Sequence, residues 1–278
     1  MAATKRAACL IGWPAAHSRS PLIHHYWLRQ LGIEGGYSIE AVPPEGFAEF
    51  VLHLKTHGYV GANVTIPHKE RALQLTEPDE RARAVGAANT LYYDGDLLRS
   101  TNTDIEGFIG NLDASAPGWD RSAHALVLGA GGSSRAVVFG LLERGVQRIA
   151  LANRSIERAQ ALRDLFGERV VPIAWSDIPA ALPGAGLLVN TTSLGMKGQP
   201  PLQIDLSALP ADAVVSDLVY VPLETDLLAA AKARGLRTAD GLGMLLHQAV
   251  RGFDLWFGAR PHVTPELRAL VEADLAPK

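Results

Sequence analysis

Lys69 closes the segment Asn63-Val64-Thr65-Ile66-Pro67-His68-Lys69. The run 61–66 reads as a strand and 69–75 as a helix, so the lysine stands in the first helical turn. Partial positive charge there costs an ammonium up to about 1 kcal/mol. Such a local misfit points to a site rather than to stability. The same field, with some burial, lowers a lysine's pKa and suits it to acid–base work; a solvated surface lysine is the plain alternative. Asn63, Thr65 and Lys69 bring polar groups to the C-terminal end of their strand, where open α/β sheets collect ligands. Asp104, in Ser100-Thr101-Asn102-Thr103-Asp104, offers a carboxylate to orient and tune the lysine, or simply caps a helix beginning at Ile105. Asn89, in Gly86-Ala87-Ala88-Asn89-Thr90, adds a small polar group. Ser18 and Ser20 precede Pro21 at the start of another helix. Ser20 followed by proline reads as an N-cap. Ser18 has no capping reason, and two hydroxyls at a helix N-terminus make a carboxylate receptor.

A second constellation lies in the middle of the chain. Ala125-Leu126-Val127-Leu128 is an apolar strand, followed by Gly129-Ala130-Gly131-Gly132-Ser133-Ser134 and a helix. Glycines there allow a tight turn and close approach of backbone to a pyrophosphate held at the helix N-terminus. Ser134 occupies the place of the usual third glycine. The next strand ends at Asn153-Arg154-Ser155, with Arg158 one turn on. A cofactor with a free ribose 2′-hydroxyl favours Asp or Glu there. Guanidiniums beside a helix start, with Ser155 as N-cap, suit a 2′-phosphate instead, so the expected cofactor is NADP. Arg158 also fits a solvated helix face.

These groups must be held by an alternation of strands and helices. Strands are expected at 7–11, 37–42, 61–66, 125–128, 149–152, 187–190 and 213–218. Helices are expected at 20–31, 47–57, 69–75, 133–144, 155–166, 225–234 and 242–256. Alternation of this kind implies βαβ units and parallel sheets. The segment 113–122, rich in Ala, Ser, Pro and Gly, reads as a loop, and a domain change is expected between 104 and 122.

Composition narrows the field. The 278 residues are 47 % hydrophobic and 20 % charged, with net charge −3, as befits one large or two smaller globular domains. No basic tract interleaves with aromatics, which argues against nucleic acid. No apolar run approaches a membrane span, and Gly12 and Pro14 break the one near the N-terminus, so neither a membrane association nor a signal peptide is expected. The single Cys9 reads as a core residue, which fits the cytoplasm. Without a Cys pair or a His-Glu-x-x-His pattern, no metal is expected.

Taken in order, the motifs resemble the shikimate dehydrogenase family. They are Ile-Gly-x-Pro-x-x-His-Ser-x-Ser-Pro at 11–21, Gly-Ala-Asn-Val-Thr-Ile-Pro-x-Lys at 61–69, Gly-Ala-x-Asn-Thr-Leu at 86–91, Asn-Thr-Asp at 102–104, Gly-Ala-Gly-Gly at 129–132, Asn-Arg-Ser at 153–155, Asn-x-Thr-Ser-x-Gly-Met at 190–196 and Asp-Gly-Leu-Gly-Met-Leu at 240–245. The resemblance implies an α/β fold of two domains. Residues 1–104 would form a substrate domain and 105–238 a Rossmann-like NADP domain with a parallel sheet, while 239–278 would return as helices to the substrate domain. It implies reversible reduction of 3-dehydroshikimate to shikimate by NADPH, a step of chorismate and aromatic amino acid biosynthesis, by a cytoplasmic monomer or homodimer. Lys69 and Asp104 would be the catalytic pair. Ser18, Ser20, Asn63, Thr65, Asn89, Asp104, Tyr220 and Gln248 would meet the substrate. Gly129, Ala130, Gly131, Gly132, Ser133, Asn153, Arg154, Ser155, Arg158, Thr191, Ser193, Met196, Leu218, Gly241 and Met244 would meet the cofactor. Departures are Asn-Arg-Ser for the commoner Asn-Arg-Thr, the Ser133-Ser134 pair, and His25 where relatives carry Asn or Gln. Serine rather than threonine at position 20 is the shikimate form of the Ser-x-Ser pair. A broader quinate/shikimate dehydrogenase and a non-catalytic NADPH-binding regulator are the rival expectations.

Overall fold

The computed structural model describes residues 6–16 and 18–276; His17 of the first motif lies outside them. The chain divides into two compact units, one made of residues 1–103 and 248–278, the other of 104–247. The first opens with β1 (Arg6–Gly12), α1 (Ser20–Gln30), β2 (Gly35–Ala41), α2 (Pro44–Leu52), β3 (Tyr59–Val64) and α3 (Lys69–Leu75), then β4 (Glu77–Pro78), α4 (Glu80–Val85), β5 (Thr90–Asp94) and β6 (Leu97–Thr101). Its sheet runs β2-β1-β3-β5-β6-β4. The last five residues of β1 are all buried, as a strand covered on both faces requires. β1 pairs in parallel with β2 and β3, but β5 is antiparallel to both β3 and β6. This corrects the expectation of parallel sheets throughout. The two tyrosines of β5 and the two-residue turn at Gly95-Asp96 make a hairpin, with Gly95 at φ 63°, a conformation that such turns demand.

The second unit begins at α5 (Asp104–Ser115) and continues through β7 (His124–Leu128), α6 (Gly132–Glu143), β8 (Arg148–Asn153), α7 (Ile156–Phe166), β9 (Val170–Ala174), α8 (Ile178–Ala181), β10 (Leu187–Asn190), β11 (Val214–Asp217), α9 (Asp226–Ala233) and β12 (Arg237–Ala239). Helices α10 (Gly241–Phe257) and α11 (Pro265–Leu275) follow. The sheet order is β12-β11-β10-β7-β8-β9, with every pair parallel. That is the doubly wound order, and it reverses between β7 and β10, where such sheets open a crevice for ligands. The division at 247/248 falls inside α10, whereas the sequence placed the return at 239, where β12 ends. Of the segment 113–122, read as a loop, residues 113–115 belong to α5 and the rest leads into β7 through a short 3-10 turn at Trp119–Arg121. Its Trp119 is buried, donates to Asp113 Oδ1 at 2.9 Å, and lies under Arg144, whose guanidinium binds both Asp113 and Asp120.

In the first unit, Cys9, Ile11, Phe47, Val51, Leu54, Val64 and Leu91 form one core. An aromatic cluster of His24, Trp27, Tyr37, Phe253 and Trp256 forms another, bringing the returning helix against α1 and the sheet. Trp256 donates its indole N–H to Leu91 O at 2.8 Å and crosses Gly61, where a Cβ would overlap the indole nitrogen. Trp27 donates to His262 O at 3.0 Å, and Arg19 pairs with Asp274 at 2.5 Å, fastening the segment around α11. Among the described residues no helix is long and apolar enough to cross a membrane.

Candidate active site

In the first unit the site residues hang on the ends of β1, β3 and β5. Lys69 is the first residue of α3 and half-buried. No side chain caps that helix. The preceding residue, His68, stacks its ring on Phe47 (4.2 Å, 3°) and donates Nε2–H to Val42 O at 2.8 Å. The Lys69 carbonyl accepts from Ala88 N at 2.9 Å, which ties the lysine's backbone to the segment carrying Asn89. Thr65 N donates to Ile11 O at 2.9 Å, and a Cβ on Gly12 would overlap the Thr65 methyl, so glycine is required there.

Asn63 donates both hydrogens of its amide, to Asn89 O at 3.3 Å and Thr90 Oγ1 at 3.1 Å. Asn89, only 2 % exposed, accepts at Oδ1 from Thr103 N (2.8 Å), Thr90 Oγ1 (3.1 Å) and Thr103 Oγ1 (3.2 Å). It also donates Nδ2–H to Gln248 Oε1 at 3.4 Å. Asn63, Asn89 and Gln248 therefore form one polar track, held from behind by the threonines at 90 and 103. Ser18 Oγ donates to Ser20 Oγ at 3.1 Å and accepts from Ser20 N at 3.2 Å. Ser20 is not the expected N-cap: it is the first residue of α1, Arg19 holds the cap position, and no side chain caps the helix. The capping account of Ser20 thus falls away.

In the second unit the glycine loop follows β7. Gly129 has φ 102°, and a Cβ on it would lie 2.7 Å from Thr191 Oγ1. Gly131 and Gly132 are exposed, and a Cβ on either would meet nothing within 4 Å. The N-cap residue of α6 offers no side-chain cap, and Gly131, Gly132 and Ser133 at its start are exposed. This is the arrangement that receives a pyrophosphate. Ser134 organises it from within. Gly131 N donates to Ser134 Oγ (3.0 Å), and Thr191 Oγ1 donates to Leu128 O (2.7 Å). Since the single Thr191 hydroxyl proton is spent on Leu128, the 2.6 Å contact between Ser134 Oγ and Thr191 Oγ1 runs from serine to threonine.

At the end of β8, Asn153 donates Nδ2–H to Ser155 O at 2.8 Å, and Ser155 takes the N-cap position of α7. Its hydroxyl does not cap the helix as expected but donates to Glu157 Oε2 at 2.7 Å. That hydroxyl, with the glutamate's own backbone N–H, holds the Glu157 carboxyl below the usual range. Arg154 and Arg158 are exposed, and neither forms an ion pair among the described residues.

Known proteins match along most of this layout. The family model for the shikimate dehydrogenase substrate binding domain matches residues 10–91. One for shikimate/quinate 5-dehydrogenase matches 116–196, and one for the shikimate 5′-dehydrogenase C-terminal domain matches 241–265. A curated relative from Rhodopseudomonas palustris (strain TIE-1), shikimate dehydrogenase (NADP(+)), is 99 % identical over 278 residues, the whole of both chains. The chain belongs to the shikimate dehydrogenase family. Among solved structures, the Thermus thermophilus shikimate 5-dehydrogenase in complex with NADP(H) and shikimate is 35 % identical, with TM-score 0.83, covering 98 % of this chain and 100 % of that one. A Corynebacterium glutamicum quinate dehydrogenase in complex with NAD is 32 % identical, with TM-score 0.87, covering 97 % and 99 %.

For a shikimate dehydrogenase family chain, the remaining expected residues fall mostly on the second unit. Asp104, buried, is the first residue of α5 rather than a cap before Ile105, and it directly follows the anchored Thr103. Thr191, Ser193 and Met196 lie on the loop after β10, the latter two exposed. Leu218 and Tyr220 follow β11, both half-buried. A Cβ on Gly241 would overlap Leu218 O, which explains that glycine. Met244 packs on the core of Phe108, Leu112, Val127 and Val189. Reading of the sequence missed Asp217. This buried carboxylate accepts from Asn190 Nδ2 (2.9 Å), Val219 N (3.0 Å) and Thr225 Oγ1 (2.7 Å), while burial pushes its pKa up. It braces the loops after β10 and β11. Its only signal was an acid ending an apolar strand.

Proposed function

We propose that the protein reduces 3-dehydroshikimate reversibly to shikimate with NADPH. The polar track of Asn63, Asn89 and Gln248 carries this reading, because neutral amides fixed by buried hydroxyls suit a small polyhydroxylated ring. Ser18 and Ser20, with Thr65, are the proposed receptor for its carboxylate and remaining hydroxyls, and Tyr220 a further neighbour. In the second unit the open glycines, the uncapped start of α6 and the outward arginines fit the pyrophosphate and 2′-phosphate of NADP. Gly129 to Ser133, Asn153, Arg154, Ser155 and Arg158 are the proposed contacts, with Thr191, Ser193, Met196, Leu218, Gly241 and Met244 around the remainder.

NADPH, once bound, supplies the hydride. As negative charge grows on the carbonyl oxygen, Lys69 stabilises it and delivers the proton that completes the alcohol. Asp104 is the proposed second member of the pair. The cytoplasm is the proposed compartment, in keeping with a lone cysteine, Cys9, that is buried and free. The test offers purified protein shikimate or quinate with NADP⁺ or NAD⁺ and follows reduced nicotinamide by absorbance. Fast turnover confined to shikimate with NADP⁺ is expected. Comparable quinate or NAD⁺ turnover points to the broader enzyme, and cofactor binding without turnover to a regulator.

A further inference from the structure

Behind Asn63 lies a tyrosine that the reaction does not use. Tyr37, on β2, is 5 % exposed, and its phenol donates to Asn63 Oδ1 at 2.6 Å. The ring cannot swing away. It stacks on His24 at 4.1 Å and 15°, His24 in turn lies parallel to Phe253 at 5.9 Å, and Trp256 leans on Tyr37 at 6.0 Å. Burial keeps the phenol protonated and therefore a donor.

An asparagine amide presents a donor end and an acceptor end of nearly equal shape, so something must choose between its two orientations. Flipping Asn63 would set its oxygen against Asn89 O, acceptor facing acceptor, and would oblige the Tyr37 hydroxyl to accept where it now donates. Both amide hydrogens are already committed, to Asn89 O and Thr90 Oγ1. What remains is one lone pair of Oδ1.

We propose that Tyr37 is a positioning residue that locks the Asn63 amide so that it meets the substrate as a hydrogen-bond acceptor, recognising a hydroxyl and not the carboxylate. This deepens the reading above and rests on Asn63 being a substrate contact. The test is a double-mutant cycle of Tyr37→Phe and Asn63→Ala, reading KM for shikimate, kcat, NADPH affinity by fluorescence, and melting temperature. Tyr37→Phe keeps the ring stack and removes only the hydroxyl. The expected result is a rise in KM of about tenfold, the worth of one neutral hydrogen bond, with kcat and NADPH affinity within twofold. Placed on Asn63→Ala, Tyr37→Phe should change KM by less than twofold. Multiplicative effects of the two substitutions, or a KM unmoved by Tyr37→Phe while Asn63→Ala raises it, overturn the positioning role and leave Asn63 as a contact. A KM unmoved by Asn63→Ala overturns both.

Discussion

Ser134→Ala tests whether the departure from the third glycine is structural. The substitution removes two links of the relay that runs from Gly131 N through Ser134 and Thr191 to Leu128 O. Each neutral hydrogen bond is worth about 1 kcal/mol net. Gly131 is exposed, so water re-solvates its N–H and the full desolvation penalty does not apply. Thr191 keeps its bond to Leu128. The expected loss is therefore about 1–2 kcal/mol, or roughly 2–8 °C in melting temperature for a domain of this size. The loop that would cradle the pyrophosphate loses its tether, so NADPH and NADH should both weaken by about 3–10-fold. Equal factors are the signature, since both cofactors carry the same pyrophosphate. Thermal unfolding and fluorescence titration measure the two effects. On a Thr191→Val background the cost of Ser134→Ala should shrink, because the partners share one relay. Ser134→Gly should be worse than Ser134→Ala by up to about 1 kcal/mol, glycine being the poorer helix former. Unchanged stability and affinity in Ser134→Ala, or a loss confined to NADPH, would refute the relay.

Lys69→Ala should cut kcat by a factor on the order of 10²–10⁴ with NADPH affinity nearly constant; a kcat preserved within a few-fold removes the lysine from the chemistry. Arg154→Asp should weaken NADPH far more than NADH, and equal losses in paired titrations would mark the arginine as structural. Gly61→Ala should destabilise by about 3 kcal/mol or more, since its Cβ would displace Trp256 from Leu91 O; a denaturation midpoint close to the parent's contradicts that. Burial lowers the His24 pKa to about 3, below its unfolded value. The unfolded chain then binds the proton more readily. Stability from this group is fully present above pH ~6.5 and falls by about 1.4 kcal/mol per unit as pH drops toward the folded pKa. His24→Phe, which keeps the stack, should flatten that slope in denaturation series between pH 4 and 6.5, and an unchanged slope would place the sensitivity elsewhere.

How much of this the sequence carried depended on whether a residue's role was local. The glycine loop, its strand and its helix are contiguous, so Gly129, Gly131 and the start of α6 were legible at once. Lys69 was legible because a charge in the first helical turn conflicts with its own backbone. The hairpin of β5 and β6 was not. Only its ends, Thr90 and Ser100-Thr101, were read, as small polar groups, and pairing with β3, distant in sequence, is what makes the segment a sheet strand. Tyr37 and Asp217 were invisible for the same reason. Tyrosine suits any half-buried strand, and an acid after an apolar run suits any turn. Their partners, Asn63 and Thr225, are fixed by tertiary structure alone. Ser20 shows the reverse error: a local cap signal was present, but the helix began one residue earlier than the cap rule required.

The polar track raises a question of charge. Asn89 accepts three hydrogen bonds on one oxygen, a task a carboxylate would perform with shorter bonds. Yet the residue is almost wholly buried, and an unpaired carboxylate there would cost several kcal/mol or take up a proton. An amide also donates to Gln248, which an ionised acid cannot do. Because Asn63, Asn89, Thr90 and Thr103 are all neutral, the track carries no charge of its own, and in the proposed reading the ionic work falls to Lys69 and Asp104. Neutrality brings the problem of amide orientation, and buried hydroxyls supply the answer: a phenol at Asn63 and two threonines at Asn89. Each hydroxyl can also accept, so the choice of orientation is shared with backbone groups that cannot: Thr103 N only donates to Asn89 Oδ1, and Asn89 O only accepts from Asn63 Nδ2.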